Sequence, residues 1–512
     1  MKSTPTFTLI FLLFSIFVQG QNTIYSNSIS GNDSTGDGTS ENPFKTFHKS
    51  YTVAVSGDTI NLSGTFTWTD ADEVGDNPIV GYNITKDLTI EGQSSNTTII
   101  QAAETSNTAT SRVFTAESTS SFNELTIRNL TIKNGVSTSD DKTSGGILVK
   151  TTTSNYVFQL NVYQCSFENN RINSFTSDNG FSGGALSFSG YAYGTLNIEK
   201  STFKDNHAYI RSYGAGALYI NQSVNANVVE CTFEGNYGQS NYDNFYYGAS
   251  AAIYAYRNSI VKITNCTFAS NSSVGTSGAI LAHQNTTFLT NNTIAGNSTT
   301  NTGLTGGVAF NSPTAIYLKN NIIANNTLNG TPNDFNSSSS ISSNGFNIVE
   351  FSANLITTSD DITGDQVNLF GTNLATTPDL NATKTISLSS GSVAIDKGSS
   401  DPNNTVEIPA KDQRGLGRVL SVDIGSYEYV EASLSINDNL NNSVTIYPNP
   451  TSSSVYIEQD FSVAKVYDLT GRELLKSNSK TIYLTGLTSN IYLIKLFDSS
   501  NELIATSKII KE

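Results

Sequence analysis

Aromatic residues and a few charged groups are concentrated in three loops of this 512-residue chain, at 171–182, 207–215 and 237–250. The rings are Phe175, Phe181, Tyr209, Tyr213, Tyr237, Tyr242, Phe245, Tyr246 and Tyr247, and the polar groups among them are Arg171, Asp178, His207, Arg211 and Asp243. Aromatic faces beside polar groups suit sugar rings, which stack on aromatic side chains. We therefore predict a ligand-binding site made of Phe175, Tyr209, Arg211, Tyr213, Tyr237, Tyr242, Tyr246 and Tyr247. The alternative is that the rings pack on one another and hold long loops down.

A repeated motif must position these loops. A large apolar residue recurs at 132, 167, 203, 233, 268, 294 and 323, at steps of 26 to 36 residues, and in most copies an Asn follows three residues later. A Gly-rich motif such as Gly183-Gly184-Ala185-Leu186 precedes most copies. Repeats of this length indicate a solenoid. The alternation of Leu196 and Ile198 with polar residues indicates that its segments are strands.

Stacked coils place equivalent residues above one another, about 4.8 Å apart. The repeated Asn side chains, Asn236 and Asn271 among them, should then form a buried ladder of hydrogen-bonded amides. Equivalent loops of successive coils leave the same edge, so the nine aromatic residues should cluster on one flank of the solenoid.

The three cysteines share one place in the repeat. Cys165, Cys231 and Cys266 each lie two residues before the repeated Phe, where other copies have Ser201 and Asn292. We interpret this position as a buried, inward site that accepts small residues. The alternative is a disulfide or a metal site.

The paired Gly-Gly-Ala-Ile and Phe-x-x-Asn motifs resemble the repeat of the polymorphic outer-membrane protein family. Their layout resembles right-handed parallel β-helix proteins, which include many pectin and alginate lyases. The resemblance implies an all-β chain with a right-handed parallel β-helix at 21–431. Pro43, placed to begin a helix, and the apolar face of Phe44, Phe47 and Tyr51 predict a short capping helix at about 43–55.

Two later regions also resemble known families. Several motifs after residue 333, including Asp412-Gln413-Arg414-Gly415, resemble the choice-of-anchor region that closes many surface β-helix proteins, here about 333–431. We interpret Asp412 and Arg414 as a structural ion pair rather than as catalytic groups.

After a polar linker at 432–442, residues 443–512 resemble the C-terminal sorting domain of the type IX (Por) secretion system. The match includes Tyr447-Pro448-Asn449-Pro450 and Lys508-Ile509-Ile510, and the alternating strands predict a small β-sandwich. Asn490 stands where that family usually has Gly, so we expect a turn with positive φ there. The resemblance implies that the secretion machinery is a partner and that the protein is secreted or lies on the outer-membrane surface of a Gram-negative bacterium.

The N-terminus indicates export, and the net charge limits the possible partners. Residues 1–20 have the pattern of a secretory signal peptide, and no later stretch is expected to cross a membrane. The net charge of −15 argues against nucleic acid as a partner.

Few groups suit catalysis or metal binding. The catalytic set of polygalacturonases is incomplete here, and the repeats offer few Arg or Lys residues beside a carboxylate, as a lyase requires. The loop with Asp70, Asp72, Glu73 and Asp76 is either solvated or a calcium site, and we otherwise expect no cofactor. Whether the protein is an enzyme stays open. We predict a non-catalytic, glycan-binding or adhesin-like surface protein, with a polysaccharide lyase or glycoside hydrolase as the alternative.

Overall fold

The structure is a computed structural model of the chain. It describes residues 21–73, 81–120, 122–137, 144–151, 157–173, 182–190, 193–211, 213–240, 248–300, 303–372, 374–375, 383–402, 406–418, 421–430, 445–469, 471–499 and 503–512. The predicted signal peptide at 1–20 and linker at 432–442 lie outside these residues. The chain divides into two compact units, Met1–Tyr429 and Val430–Glu512. No helix in the described part of the chain is both long and apolar enough to cross a membrane.

The first unit is a parallel β-helix whose strands form four stacks, each paired in parallel register from coil to coil. Stack 1 contains Thr23–Asn27, Thr59–Thr67, Leu88–Glu91, Glu124–Arg128, Phe158–Tyr163, Gly194–Glu199, Val224–Val229, Ile260–Thr264, Thr286–Thr290 and Ala315–Lys319. Stack 2 begins in the second half of Thr59–Thr67 and continues through Thr98–Gln101, Thr131–Lys133, Ser166–Glu168, Thr202–Lys204, Thr232–Glu234, Thr267–Ala269, Thr293–Ala295, Ile322–Ala324, Ile348–Val349 and Ile362–Thr363.

The other two stacks complete each coil. Stack 3 contains Val136–Ser137, Arg171–Asn173, His207–Ile210, Tyr237–Ser240, Ser272–Val274, Ser298–Thr300 and Thr327–Leu328, with Thr331–Pro332 antiparallel at its end. Stack 4 contains Tyr82–Ile84, Phe114–Glu117, Ile147–Thr151, Leu186–Gly190, Leu218–Ile220, Ile253–Ala255, Ile280–His283, Val308–Asn311, Phe335–Ser342 and Ser352–Ile356. Three short strands between stacks 3 and 4 form a further small sheet: Ser182–Gly183, Gly214–Ala215 and Ala249–Ser250.

The repeated apolar residue of stack 2 fills the interior. Phe167, Phe203, Phe233 and Phe268 are fully buried, and successive ring centroids lie 4.8, 4.7 and 4.7 Å apart with nearly parallel planes. This spacing equals the distance between adjacent strands, so each coil repeats the packing of the one before it. Burying a side chain of this size contributes roughly 1.5–3 kcal/mol.

The predicted asparagine ladder is confirmed. Each side-chain Nδ2 donates to the Oδ1 of the next coil at 2.8–3.1 Å, and all members are buried: Asn170, Asn206, Asn236, Asn271, Asn297 and Asn326. The ladder ends at a carboxylate, because Asn326 Nδ2 donates to Asp334 Oδ1 at 2.8 Å. Asp334 is fully buried, and this burial raises the pKa of its carboxyl group to about 7.

The cysteine position forms a second buried column. Cys165, Cys231 and Cys266 are free thiols, and the column continues through Asn292, Asn321 and Asn347 to the carboxylate of Asp361. The backbone N–H of Cys266 donates to Asn292 Oδ1 at 2.9 Å, and Asn347 Nδ2 donates to Asp361 Oδ1 at 3.3 Å. Burial raises the pKa of the Cys165 thiol to about 12. The interpretation of this position as a buried structural site is therefore confirmed.

The predicted N-terminal helix is present but shorter than expected. It spans Phe47–Val53, and Thr46 is its N-cap, with a side chain that accepts a hydrogen bond from the Lys49 N–H. Pro43 therefore lies before the helix rather than in its first turn, because Thr46 supplies the better cap. The Phe47 ring is fully buried and meets the Tyr82 ring edge-on at 4.8 Å, so the helix packs on the first strand of stack 4.

The last part of this unit runs back along the solenoid. We call the described residues between 369 and 429 the clasp. Gln413 Nε2 donates to the carbonyl oxygen of Cys231 and to Thr232 Oγ1, and Gln413 Oε1 accepts from Thr267 Oγ1. Ser426 Oγ donates to Thr293 Oγ1 at 3.1 Å. The clasp therefore covers the outer face of stack 2 instead of adding further coils.

The ion pair predicted in this region is buried and structural. Arg414 contacts Asp412 at 2.6 Å, and Asp412 also accepts a hydrogen bond from the Glu428 N–H. A second buried pair joins Arg418 to Glu428 at 3.0 Å. Both carboxylates thus have fixed partners within the clasp.

The second unit is a small antiparallel β-sandwich, as predicted. One sheet contains Ile446–Tyr447, Ser454–Ile457 and Thr481–Tyr483, and the other contains Val463–Tyr467, Glu473–Ser477, Asn490–Phe497 and Leu503–Lys511. Both sheets contribute to one core that includes Val455, Ile482, Val466 and Ile494. The expectation of a turn at Asn490 is wrong, because Asn490 begins a strand and pairs with Lys511.

Candidate functional site

Four of the eight predicted ligand-binding residues lie in the described part of the chain. Tyr209, Arg211, Tyr213 and Tyr237 belong to stack 3 or follow it directly. The other four, Phe175, Tyr242, Tyr246 and Tyr247, lie outside the described residues, as do Phe181, Phe245, Asp178 and Asp243. The geometry described below is therefore that of the residues on the stack 3 strands and directly after them.

Stack 3 places polar and aromatic side chains in two adjacent outer rows. Arg171, His207 and Tyr237 are in register in one row, and Asn173, Tyr209 and Gln239 are in register in the other. Residues between the two rows, Ile172 and Ala208, are fully buried. Because side chains alternate along a strand, the two rows point outward.

Four of these side chains form one cluster, which we call the flank: Arg171, His207, Tyr209 and Tyr237. The Tyr209 and Tyr237 ring centroids lie 5.7 Å apart, His207 lies 5.7 Å from the Tyr237 ring, and the Arg171 guanidinium lies 6.0 Å from the Tyr209 ring. Tyr237 donates its hydroxyl proton to Gln239 Oε1 at 2.9 Å. All four side chains are half-buried, so each keeps a part of its surface open to solvent.

The flank carries its positive charge on the arginine alone. Burial, and next the nearby Arg171, lower the pKa of His207 to about 4, so its imidazole is neutral at pH 7. His207 Nδ1 has no hydrogen-bond partner among the described residues. Burial raises the pKa of Tyr237, which keeps the phenol protonated. The flank thus offers one cation, a neutral imidazole and two phenols.

Tyr213 belongs to a different cluster. Its ring lies 5.4 Å from the Tyr256 ring and 6.2 Å from the Tyr254 ring, and Tyr254 is fully buried beside Tyr219. Tyr256 stacks on His283 at 5.4 Å. The prediction of one aromatic flank included neither Tyr254, which lies in stack 4, nor Tyr256, which follows that strand directly. Tyr213 thus packs against buried rings, as the packing alternative expects.

Arg211 lies just beyond the flank and is exposed. Its carbonyl oxygen accepts a hydrogen bond from Ser240 Oγ at 2.9 Å. This contact ties the loop after His207–Ile210 to the next strand of stack 3.

The acidic loop that suggested calcium serves the N-terminal helix in its described part. The Glu73 carboxylate accepts the backbone N–H groups of Phe47 at 2.7 Å and His48 at 3.0 Å, and burial raises its pKa to about 7. Asp72 pairs with Lys45 at 2.6 Å, while Asp76 lies outside the described residues. Within the described ranges, no cluster of three or more His, Cys, Asp or Glu side chains is placed to hold a metal ion.

Comparisons with known proteins identify the C-terminal unit. Residues 445–512 match the family model of the secretion system C-terminal sorting domain. No curated protein matches the chain. Among solved structures, pectate lyase Pel9A is 15% identical over 80% of this chain and 97% of its own, with a TM-score of 0.44.

Two further structures show similar backbones. A rhamnogalacturonan lyase is 13% identical over 73% of this chain and 97% of its own, with a TM-score of 0.33. The GH136 lacto-N-biosidase from Eubacterium ramulus is 11% identical over 67% of this chain and 68% of its own, with a TM-score of 0.31. With identities of 11–15% and TM-scores below 0.5, these likenesses carry no argument about this chain. The chain is thus a parallel β-helix with a type IX secretion C-terminal sorting domain at 445–512, which indicates a secreted or cell-surface protein.

Proposed function

We propose that this protein binds glycan outside the cell and that the flank of stack 3 holds the sugar. The observation that carries the proposal is the pair of half-buried rings, Tyr209 and Tyr237, set 5.7 Å apart beside the Arg171 guanidinium. Aromatic faces with a few fixed polar groups are the usual surface for a sugar ring.

The charges favour an acidic sugar. Arg171 is the only charged group of the flank, and its planar fork of N–H donors matches a carboxylate. The neutral His207 imidazole and the Gln239 amide are placed to bond sugar hydroxyls. A protein with a net charge of −15 repels polyanions at long range, so this local cation would select the acidic residue at contact.

Packing is the competing explanation for the same rings. Tyr237 already donates to Gln239, and the rings touch one another as well as solvent. If the rings only pack, replacing Tyr209 and Tyr237 by Ala lowers the melting temperature and changes no sugar binding. If they bind sugar, each ring lost weakens binding by about 1 kcal/mol.

The test is a glycan array and isothermal titration with the full-length protein and the Tyr209→Ala/Tyr237→Ala variant. Tyr193→Ala is the matched control, because Tyr193 is 65% exposed on the same solenoid and lies in neither tyrosine cluster. We expect wild type and the control to bind oligouronates and the double variant to bind at least tenfold more weakly. A wild-type protein that binds no acidic glycan would refute the proposal.

One observation favours a second function, a polysaccharide lyase. Elimination from a uronate needs a base that removes the proton next to the carboxylate and a cation that neutralises the carboxylate. The observation is geometric: the His207 imidazole is in register with Arg171 on the neighbouring strand. The imidazole is unprotonated at pH 7, and its pKa of about 4 makes it a weak base. Incubation with alginate and oligogalacturonate, followed by ultraviolet absorbance of unsaturated ends, distinguishes the two functions. A rise in absorbance that His207→Gln abolishes would establish the lyase.

We propose that the sorting domain brings the solenoid to the cell surface through the secretion machinery. Because Val430–Glu512 is a separate compact unit with its own core, deleting Val444–Glu512 should leave the β-helix folded and trapped in the periplasm. Cell fractionation measures this, with protease resistance of the trapped protein as the control for folding. Truncated protein that still reaches the surface would contradict the proposal.

A further inference from the structure

A groove of about 560 Å³ lies on the outer face of stack 1, away from the residues of the flank. Its floor includes Asn227, Lys262 and Phe288, and its wall is formed by the clasp through Pro402, Val406 and Glu407. This volume falls in the range of ordinary ligand sites. No motif in the sequence predicts this groove.

The floor is one outward row of stack 1 whose chemistry changes along the solenoid. Asn161, Asn197 and Asn227 are in register and form an external amide ladder, with Nδ2–Oδ1 distances of 2.9 Å. Asn227 Nδ2 donates to Asn197, and no donor among the described residues reaches Asn227 Oδ1. The ladder therefore ends with an acceptor at the edge of the groove.

The same row continues with Lys262 and then with two aromatic residues. After Lys262 come Phe288 and Tyr317, whose rings stack at 4.4 Å with planes 10° apart. Both rings are half-buried, and because they stack face to face, Tyr317 covers one face of Phe288. Of the two rings, Phe288 lines the groove. The Lys262 ammonium lies 5.7 Å from the Phe288 ring and its side chain is exposed.

Among the described residues that line the groove, one is a cation and one is an anion. Lys262 lies on the floor and Glu407 on the clasp wall, and both are exposed. The two charges offset each other, so the site has no net attraction for a charged ligand, in contrast to the flank. An amide oxygen, an ammonium and a carboxylate around the uncovered part of the Phe288 ring match a sugar ring, whose edge carries hydroxyls and whose face carries C–H groups.

We propose that this groove is a second carbohydrate site, selective for uncharged sugar residues, and that the clasp completes it. The site is independent of the flank, so either can fail without the other. Because Pro402, Val406 and Glu407 belong to the clasp, a bound sugar would also hold the clasp against stack 1.

The test is binding of neutral cello-, xylo-, manno- and malto-oligosaccharides to the full-length protein. We expect at least one of them to bind, and Phe288→Ala to weaken that binding by about tenfold, as expected for loss of an aromatic contact. Glu407→Gln, on an exposed side chain, tests the same site without removing a half-buried ring and should also weaken binding. Tyr193→Ala, which removes an exposed ring that lies in neither site, is the control and should leave it unchanged.

Hydrogen exchange distinguishes binding in the groove from nonspecific adsorption, because nonspecific adsorption would not slow amide exchange in the clasp. The bound oligosaccharide should slow amide exchange in clasp peptides around Val406 and should not slow it in stack 3. The proposal is overturned if no neutral oligosaccharide binds wild type, if neither groove variant weakens binding, or if the clasp peptides are not protected.

Discussion

The outer face of stack 2 has two halves that differ in what covers them. In the first half, the outward position after the repeated apolar residue is occupied by Lys133, Glu168 and Lys204, which alternate in charge along the solenoid and are half-buried. In the second half the same position is Ala269, Ala295 and Ala324, each at most 4% exposed. The clasp lies over the second half and reaches the coil between the halves, where Glu234 pairs with Lys384 of the clasp at 3.0 Å.

The difference shows that the size and charge of an outward residue in a solenoid depend on whether another segment of the chain covers it. Ala269 and Ala295 pack against Ile386, with Phe370 and Leu374 beside them. A lysine at either place would be buried without a partner, whereas in the first half water solvates it. Small outward residues in a repeat therefore mark the coils that another segment covers.

The largest expected loss of stability comes from a substitution that displaces the clasp from stack 2. Ala295→Lys places a charge beneath the clasp, and we expect a loss of about 3 kcal/mol or more, because an unpaired buried charge is strongly unfavourable. Chemical denaturation measures the loss, and limited proteolysis should cut within 383–429. Lys204→Ala, the equivalent position in the uncovered half, is the control and should change stability by less than about 0.5 kcal/mol. Equal effects at the two positions would contradict the comparison.

The cost of removing an asparagine from the internal ladder should be the same in coils that the clasp covers and in coils that it does not, because the ladder lies inside the solenoid. Asn236→Leu leaves the Asn206 amide without its acceptor and the Phe203 carbonyl without its donor, at a cost of about 1–3 kcal/mol. Asn206→Leu, in an uncovered coil, should cost the same amount. Thermal melts of both variants check this, and an unchanged melting temperature would argue against the stacked register.

Hydroxyls of the same type should differ between the two halves. Thr232 Oγ1 donates to the carbonyl oxygen of Lys384 at 2.6 Å and accepts from Gln413, whereas Thr202, in the uncovered half, is half-buried. Thr232→Val should cost about 1–2 kcal/mol because it leaves buried clasp groups unpaired. Thr202→Val should be nearly neutral by the same denaturation curves. A neutral Thr232→Val would mean that the clasp is held without this contact.

The last prediction concerns pH, in coils that the clasp does not cover. The pKa of His207 is about 4 in the folded protein and near 6.5 when unfolded, so the unfolded chain binds more protons between these values. Wild type should therefore lose stability relative to His207→Gln as the pH falls from about 7 to 4. Melting curves across that range measure the difference. A constant difference would show that the folded imidazole titrates normally.

Local regularities made much of the fold predictable. The Phe stack, the Asn ladder and the buried Cys column all follow from one register, which the repeat spacing specifies. The clasp could not be predicted in the same way, because its bonds join residues such as Thr267 and Gln413 that are 146 positions apart. Thr232 and Thr202 also occupy identical places in the motif, although only Thr232 meets the clasp.

The site was less predictable than the fold. Register alone brings Arg171, His207 and Tyr237 together, and the sequence analysis placed them on one flank. The path of the loop after residue 210 is not repeated, which is why Tyr213 lies with Tyr254 and Tyr256 instead. The groove needs the clasp as its wall, so no pattern within the repeats reveals it.

The ladders also determine how such a chain can change its length during evolution. Each internal asparagine accepts a hydrogen bond from the preceding coil and donates one to the next, so a duplicated or deleted coil leaves no amide unmatched. Asp334 and Asp361 accept but have no amide to donate onward, and each ends its ladder. Whole coils can therefore be gained or lost between Asn170 and Asn326, while the two aspartates mark a fixed end of the solenoid.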